Sequence, residues 1–265
     1  MDDSPQKMLH HGFSLGISSN NHLLKKLAYP LILMGFIAMP SASANMSVYP
    51  MEVSLNNQGA AQVQTLSQSS EAQFIRVSIK RIERPATPFE KEILVEDAVS
   101  RSLIATPDKF ALASGSQRII RLISLQLPEK ETAWRVYFEA VAAPDELKDK
   151  SLPNNNISNQ VGINLVWGVL VHIPPRNARL SLTASASGEV KNSGTVRVVI
   201  REVAVCSKQH ISSSCQWKKE HATVYPDETL RFKAWRSAEL SAAQEVRIKY
   251  VDLNTRNLAE YVIGQ

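Results

Sequence analysis

Two cysteines and two histidines lie close together near the end of this 265-residue sequence: Cys206, His210, Cys215 and His221. Cysteine and histidine side chains both bind zinc, but the spacing of these four residues, C-x3-H-x4-C-x5-H, lacks the close cysteine pair of ordinary zinc sites. The residues between the cysteines are mostly polar, and the flanking segments have the pattern of strands. Three interpretations follow: a disulfide across a hairpin, a metal site, or two free thiols.

No constellation of residues points to catalysis. The sequence contains no G-x-S-x-G or H-E-x-x-H motif and no glycine-rich phosphate loop. His172 lies in an apolar segment, His210 between the cysteines, and His221 directly after Lys218–Glu220. Such positions are more typical of exposed or structurally paired histidines than of a general base. The sequence therefore predicts neither an enzyme nor a cofactor.

The N-terminal segment has the three parts of a secretory signal peptide. Lys25 and Lys26 precede the apolar stretch Leu27–Met39, and Ala42-x-Ala44 offers a cleavage site. The apolar stretch is 13 residues long, whereas a helix that spans a membrane needs about 20. A buried core helix or an uncleaved anchor is the alternative. We expect residues 1–44 to be removed on export.

Export of the chain bears on the state of the two cysteines, because disulfides persist in oxidising compartments. The pairing of Cys206 with Cys215 is therefore favoured over a zinc site and over free thiols.

Composition and charge exclude several classes of protein. Hydrophobic residues make up 44% and charged residues 21% of the chain, which is typical of a folded core. The net charge of +5 comes from scattered basic residues, so we expect no nucleic-acid partner. No run reaches the roughly 18 apolar residues of a spanning helix, so we expect no membrane span.

The rest of the chain has the pattern of short strands. Residues alternate between apolar and polar over Gln73–Ile82, and Val161–Ile173 is a long apolar segment that ends at Pro174-Pro175. Strands are predicted in these segments and at Met46–Leu55, Ala60–Leu66, Phe89–Val95, Leu103–Ala105, Arg118–Leu127, Thr132–Val141, Ala178–Ala184, Gly188–Val190, Thr195–Val205, Gln216–Val224, Glu228–Ala234, Ala243–Val251 and Leu258–Ile263. These strands predict an all-β fold of two β-sandwiches, in residues 45–173 and 174–265.

One stretch, Leu103–Leu122 (LIATPDKFALASGSQRIIRL), resembles a motif of the usher-pathway pilus chaperones of Gram-negative periplasms. The matching positions are Thr106-Pro107, Phe110, Leu112, Gly115, Gln117 and Arg121. Further matches are Tyr137-Phe138, Pro174-Pro175 and Val190-x-Asn192-x-Gly194. The opening Ser47–Pro50 is most similar to the alternate branch, which serves colonisation-factor and common-pilus fimbriae.

This resemblance implies two immunoglobulin-like sandwiches and a function. The chain would be an ATP-independent periplasmic chaperone that binds fimbrial subunits (pilins) by donating a β-strand and delivers them to an outer-membrane usher. A secreted two-domain adhesin or surface-binding module is the alternative, because a β-sandwich alone does not define a function. A periplasmic hydrolase is a remote third, disfavoured by the absent motifs.

The resemblance places the subunit-binding residues at the start of the long apolar strand. Val161, Ile163 and Leu165 share one face there, at a period of two. The alternative is that these side chains fill the core of the first sandwich. Arg121 is a further candidate, either as a ligand contact or as a structural arginine that ties down a loop.

The sequence departs from the family pattern at two functional positions. Better-known members anchor the pilin carboxylate with an arginine and a lysine, where this chain has Met51 or its neighbours and Leu170. The family's acidic/arginine pair between domains is also missing, because Ala142 and Pro174 occupy those positions. The carboxylate anchor is therefore not carried over, and the possible substitutes are Arg76, Arg118, Arg121 and Arg176.

Overall fold

In the part of the chain that the structure describes, all regular secondary structure is β-strand. The structure, a computed structural model, describes residues 46–95, 102–141, 165–185, 188–208, 215–233 and 244–263. These ranges contain no helix that is long and apolar enough to cross a membrane. Their strands are β1 Met46–Tyr49, β2 Glu52–Ser54, β3 Ala60–Ser67, β4 Gln73–Glu83, β5 Lys91–Leu94, β6 Leu103–Thr106, β7 Lys109–Leu112, β8 Gln117–Ser124, β9 Thr132–Val141, β10 Val166–Ile173, β11 Leu182–Ala184, β12 Glu189–Asn192, β13 Val198–Ser207, β14 Gln216–Val224, β15 Thr229–Arg231, β16 Gln244–Val251 and β17 Leu258–Ile263.

Strands β1 to β10 form the first sandwich. One sheet has the order β1-β3-β8-β6, and the other has the order β2-β10-β9-β4-β5, with β7 paired to β4 as well. The alternation of side chains along β8 directs Ile120 and Leu122 into the core and leaves Ile119 and Arg121 exposed. The two sheets therefore pack against each other through one apolar face each.

A single cluster of apolar side chains from both sheets forms the core of the first sandwich. Its largest fully buried members are Trp134, Phe138, Ile75, Leu103, Leu112, Ile120, Leu122 and Ile173. The burial of each such side chain stabilises the fold by about 1.5–3 kcal/mol. Side chains of β9 and β10 contribute to this core, and the two strands pair side by side.

The first predicted strand, Met46–Leu55, is two strands in the structure. Pro50 has no backbone N–H and cannot continue a ladder of hydrogen bonds, so the chain changes sheets there. Before it, β1 pairs antiparallel with β3; after it, β2 pairs parallel with β10. The chain thus contributes an edge to each sheet of the first sandwich.

Strands β11 to β17 form the second sandwich. Its sheets have the orders β11-β12-β15 and β14-β13-β16-β17, and their pairs are antiparallel. A second apolar cluster fills it, with Phe232, Leu182, Ile200 and Ile248 as its largest fully buried side chains. The prediction of an all-β protein with two sandwiches is confirmed.

The predicted disulfide is also present. Cys206 lies near the end of β13 and Cys215 directly precedes β14, and their sulfur atoms are bonded to each other. The adjacent residues Val205 and Gln216 are partners in the β13–β14 ladder. The bond therefore links the two strands at the end of the hairpin that carries the connecting loop. His210, one of the four residues of the zinc alternative, lies outside the described residues.

Candidate functional site

One edge of β10 is only partly covered. Along its whole length, β10 pairs antiparallel with β9 on one side. On the other side, β2 pairs only with Leu170, Val171 and His172. Within the described ranges, Val166–Val169 therefore has no strand on that second side. Backbone N–H and C=O groups on such an edge are available to pair with another chain.

The side chains of β10 change from buried to exposed towards this uncovered end. Val169 and Val171 are fully buried in the core, and Trp167 is partly buried against it. Leu165 has the same parity as these three, yet 48% of its surface is exposed. The row of side chains that faces the core along β10 therefore continues to Leu165, beyond the end of the core. Val161 and Ile163, which the sequence predicts to share this face, lie outside the described residues.

The opposite face of β10 is closely covered by its neighbour β9. A Cβ atom on Gly168 would lie 3.0 Å from Cε1 of Tyr137 and 3.1 Å from Cδ of Arg135. A larger residue at this position would push both side chains away. Gly168 therefore allows Tyr137 and Arg135 to lie directly on the backbone of β10.

A charged network fixes these two covering side chains. The Tyr137 hydroxyl donates to the Glu92 carboxylate at 2.6–2.7 Å, and the Arg135 Nε atom lies 3.4 Å from the same group. Lys80 lies 3.3 Å from Glu92 and over the Tyr137 ring. Partial burial raises the pKa of Glu92, but the hydrogen bonds and charges of these three neighbours hold it below its usual range.

A cleft of about 290 Å³ lies between the two sandwiches, on the face of β10 that carries Leu170. Leu170, which stands where the family has its lysine, lines the cleft from the first sandwich. Three arginines reach the cleft: Arg135 from the first sandwich, and Arg197 and Arg201 from the second. Arg135 and Arg197 have carboxylate partners. Among the described residues, no carboxylate forms an ion pair with the exposed Arg201.

A buried cluster of ionisable side chains joins the two sandwiches at the root of this cleft. The Glu131 carboxylate pairs with the guanidinium of Arg197 and accepts a hydrogen bond from the Arg197 backbone N–H at 2.8 Å. His172 of β10 lies between two carboxylates, with Nε2 3.0 Å from Glu52 and Nδ1 3.4 Å from Glu131. The hydroxyl of Tyr225 lies 3.4 Å from the same Nδ1.

Burial and neighbouring groups together shift the pKa values in this cluster. Burial lowers the pKa of His172, and the nearby Arg197 lowers it further, against the opposing effects of Glu52 and Glu131. The hydrogen bond with His172 lowers the pKa of Glu52, and burial raises the pKa of Tyr225. A neutral ring that donates from Nε2 to Glu52 and accepts at Nδ1 from Tyr225 fits these positions.

The arginines considered from sequence lie elsewhere. Arg121 and Arg118 belong to β8 in the other sheet of the first sandwich, and Arg121 faces solvent opposite Thr106. Arg76 forms a 2.7 Å ion pair with Glu139. Arg176 lines a different cavity, on the far side of the Glu131–Arg197 pair. None of these arginines lines the cleft beside Leu170, and Arg121 is not brought together with Leu165.

Sequence reasoning missed Glu131, Arg197 and Arg201. No local signal marks Glu131 and Arg197, because they are 66 positions apart and each directly precedes an ordinary strand. Only the docking of the two sandwiches makes them neighbours. In the part of the chain that is described, no group of three or more His, Cys, Asp or Glu side chains is arranged to hold a metal ion.

Comparison with known sequences identifies relatives of this chain. No protein-family model matches it. A CFA/I fimbrial subunit of Escherichia coli is 30% identical over 210 residues, which cover 78% of this chain and 86% of that protein. A CS1 fimbrial subunit of Escherichia coli is 27% identical over 208 residues, which cover 77% and 84%.

Solved structures agree with these relatives. The class 5 fimbriae chaperone CfaA superposes with a TM-score of 0.67 at 25% identity, covering 83% of this chain and all of that one. A chain from a chaperone–tip adhesin complex of CFA/I fimbriae biogenesis gives a TM-score of 0.65 at 26% identity, covering 83% and 99%. The chain therefore belongs to the usher-pathway pilus chaperones, in the alternate branch that includes the colonisation-factor fimbriae.

Proposed function

We propose that this protein is a periplasmic chaperone that binds fimbrial subunits by lending them the strand β10. The uncovered edge of Val166–Val169, with the exposed Leu165 beside it, carries the proposal. The family membership supports it and favours it over the secreted adhesin. The proposal involves no catalytic step and no cofactor.

The chemistry of the client explains why such an edge is useful. A sandwich that lacks its last strand exposes an apolar groove and a row of unpaired backbone groups, and both promote aggregation. A lent strand supplies the missing backbone hydrogen bonds, and its alternate side chains fill the groove. The edge of β10 offers the backbone groups, and its core-facing row offers the side chains.

The proposed subunit-binding residues are Val161, Ile163 and Leu165. Leu165 supports the assignment because its side chain is half exposed although it has the parity of buried Val169. We leave Arg121 out of the proposed site, since it lies on the opposite sheet of the sandwich.

The remaining parts of the proposal concern the whole chain. Residues 1–44 are proposed to be a signal peptide, residues 45–173 the first domain and residues 174–265 the second. The sheets support this division, since the first two use strands up to Ile173 and the other two begin at Leu182. An outer-membrane usher is the proposed second partner, which receives the chaperone with its bound client.

Co-expression with a fimbrial subunit from the same organism tests this function. The full-length chain carries a C-terminal affinity tag, and the complex is purified from a periplasmic extract. We expect a stoichiometric complex, and a pilin that is degraded or aggregated when the chain is absent. N-terminal sequencing of the purified chain should give a start at Asn45. Equal recovery of soluble pilin without the chain would contradict the proposal.

A further inference from the structure

The outward row of side chains on β10 has a gap at the uncovered edge. Val166, Gly168 and Leu170 point to the same face of the sheet, because successive side chains of a strand alternate. Val166 is half exposed and Leu170 lines the cleft, whereas Gly168 has no side chain. Within the described ranges, Val166–Val169 is also the part of β10 without a strand on its second side. The gap therefore lies where a pilin strand would pair.

The ring of Tyr137 covers this gap from β9. Tyr137 is the direct partner of Gly168 in the ladder between β9 and β10. The nearest neighbours of a Cβ atom on Gly168 would both be carbon atoms, Cε1 of Tyr137 at 3.0 Å and Cδ of Arg135 at 3.1 Å. The polar ends of these two side chains contact Glu92 instead. The surface presented above Gly168 is therefore apolar, and it resembles the aromatic rings that cover glycines in other sheets.

Contacts across β10 depend on the side chain that lies in between. A pilin strand beside β10 places its residue opposite Gly168 on the same face of the sheet as Gly168. Because Gly168 has no side chain, that residue can contact the edge of the Tyr137 ring. Opposite Val166 and Leu170, the side chains of β10 itself separate the pilin from β9. One position of the pilin strand thus meets a different surface from its neighbours on this face.

Backbone hydrogen bonds alone do not fix the register of an added strand. Their pattern repeats every two residues, so a strand that slips by two positions recovers the same pairing. Such a slip would move each apolar side chain of the row that contains Leu165 to a different place in the groove. The arginine and lysine of the family pattern are replaced here by Met51 or its neighbours and by Leu170. A register signal on β10 itself would take over part of their task.

We propose that Gly168 and Tyr137 form a register notch, which aligns the pilin strand on β10 by accepting one apolar side chain of that strand. The inference rests on the proposed function and specifies the chemistry of the client. The client carries an aromatic or branched aliphatic residue at one outward position, where strands with a solvated face usually have polar residues. Tyr137 determines specificity, and Arg135 and Glu92 are positioning residues that hold its ring over Gly168.

Disulfide trapping in the full mature chain measures the register. The probe is Val166→Cys, since this residue is on the uncovered edge and faces outward beside the notch. Single cysteines are placed along the pilin strand that borders its groove. A disulfide requires Cα atoms about 4.4–6.8 Å apart, and a slip of two residues moves the partner by about 6.6 Å along the strand. The trapped position therefore reports the register.

Two notch variants and one matched control are compared in this background. Tyr137→Ala removes the ring, and Gly168→Val fills the gap with a side chain of β10. The control is Glu139→Ala, because Glu139 lies on the same strand and face as Tyr137 but pairs with position 166. Its ion pair with Arg76 is exposed and contributes little. Thermal unfolding without pilin shows whether each variant keeps the fold of the free chain.

We expect one trapped position in the background chain and in the control, with an apolar pilin residue opposite Gly168. Both notch variants should keep a cooperative thermal transition, give trapped positions two residues apart and bind the pilin about tenfold more weakly. If Gly168→Val does not fold, Tyr137→Ala decides.

Three results would overturn the register notch while leaving the proposed function in place. They are a single unchanged register at full affinity in Tyr137→Ala, a polar pilin residue opposite Gly168, and unfolding of Tyr137→Ala without pilin, which would make the ring a packing contact of the free chain. If the background chain and the unmodified chain bind no pilin, the proposed function fails and the notch fails with it.

Discussion

Replacing Leu165 with aspartate should abolish recovery of a pilin from the periplasm while the chain itself stays folded. A charge at this position would enter the apolar groove of the client, where burial of an unpaired carboxylate is strongly unfavourable. In the free chain the same side chain is half exposed, so the charge stays in water. Ile163→Asp should have the same effect, because the residue shares the parity of Leu165. Recovery is measured by affinity purification and folding by circular dichroism.

Two further variants show whether position or charge alone is responsible. Leu258→Asp places the same charge on an exposed leucine of β17 in the second sandwich and should leave recovery unchanged. Val169→Asp places it at a fully buried position of β10 and should unfold the first sandwich. If Leu165→Asp instead behaves like Val169→Asp, Leu165 belongs to the core and the assignment is wrong. Full recovery with Leu165→Asp would contradict it equally.

Removal of the disulfide should lower the free energy of unfolding of the second sandwich by about 2.5–3 kcal/mol. Cys206 and Cys215 close a loop of ten residues at the loop end of the β13–β14 hairpin. On the chain-entropy model, this closure acts by restricting the unfolded chain. The double variant Cys206→Ala/Cys215→Ala is compared with the unmodified chain by urea denaturation.

Reduction of the unmodified chain serves as the control for this second prediction. With reductant present, the unmodified chain should unfold at the same urea concentration as the double variant, because both then lack the cross-link. Equal stability of the variant and the oxidised chain would show that the bond does not stabilise the sandwich. Two freely alkylated thiols in the native exported protein would show that the bond does not form.

Strand positions are largely predictable from this sequence, because half-buried strands alternate in polarity. The predicted strand Thr132–Val141 is β9 in the structure, and Gln73–Ile82 extends by one residue in β4. The short strand β7 was not predicted. Its four residues carry little periodic signal, and its place depends on pairing with the start of β4, more than thirty residues away. A strand that depends on a distant pairing partner cannot be predicted from the local sequence alone.

The site is less predictable than the fold. The row that contains Leu165 follows from the period of two, but its exposure depends on where the core ends. In a sequence, a charged residue near the end of a strand has the pattern of a solvent-exposed residue. Glu131 and Arg197 have this pattern, and their burial results from the contact between the two sandwiches. The position of Arg121 in the motif does not indicate the sheet to which it belongs. The pairing of β8 with β3 places Arg121 in the sheet that does not contain β10.

Amide hydrogen exchange of the chain, free and in complex with a pilin, tests the lending of β10 most directly. Backbone N–H groups on an uncovered edge exchange quickly, and they are protected once another strand pairs with them. The proposal predicts new protection in peptides that cover residues 161–169, with little change at the edge strand β17. Unchanged exchange over residues 161–169 in a complex that is protected elsewhere would contradict it.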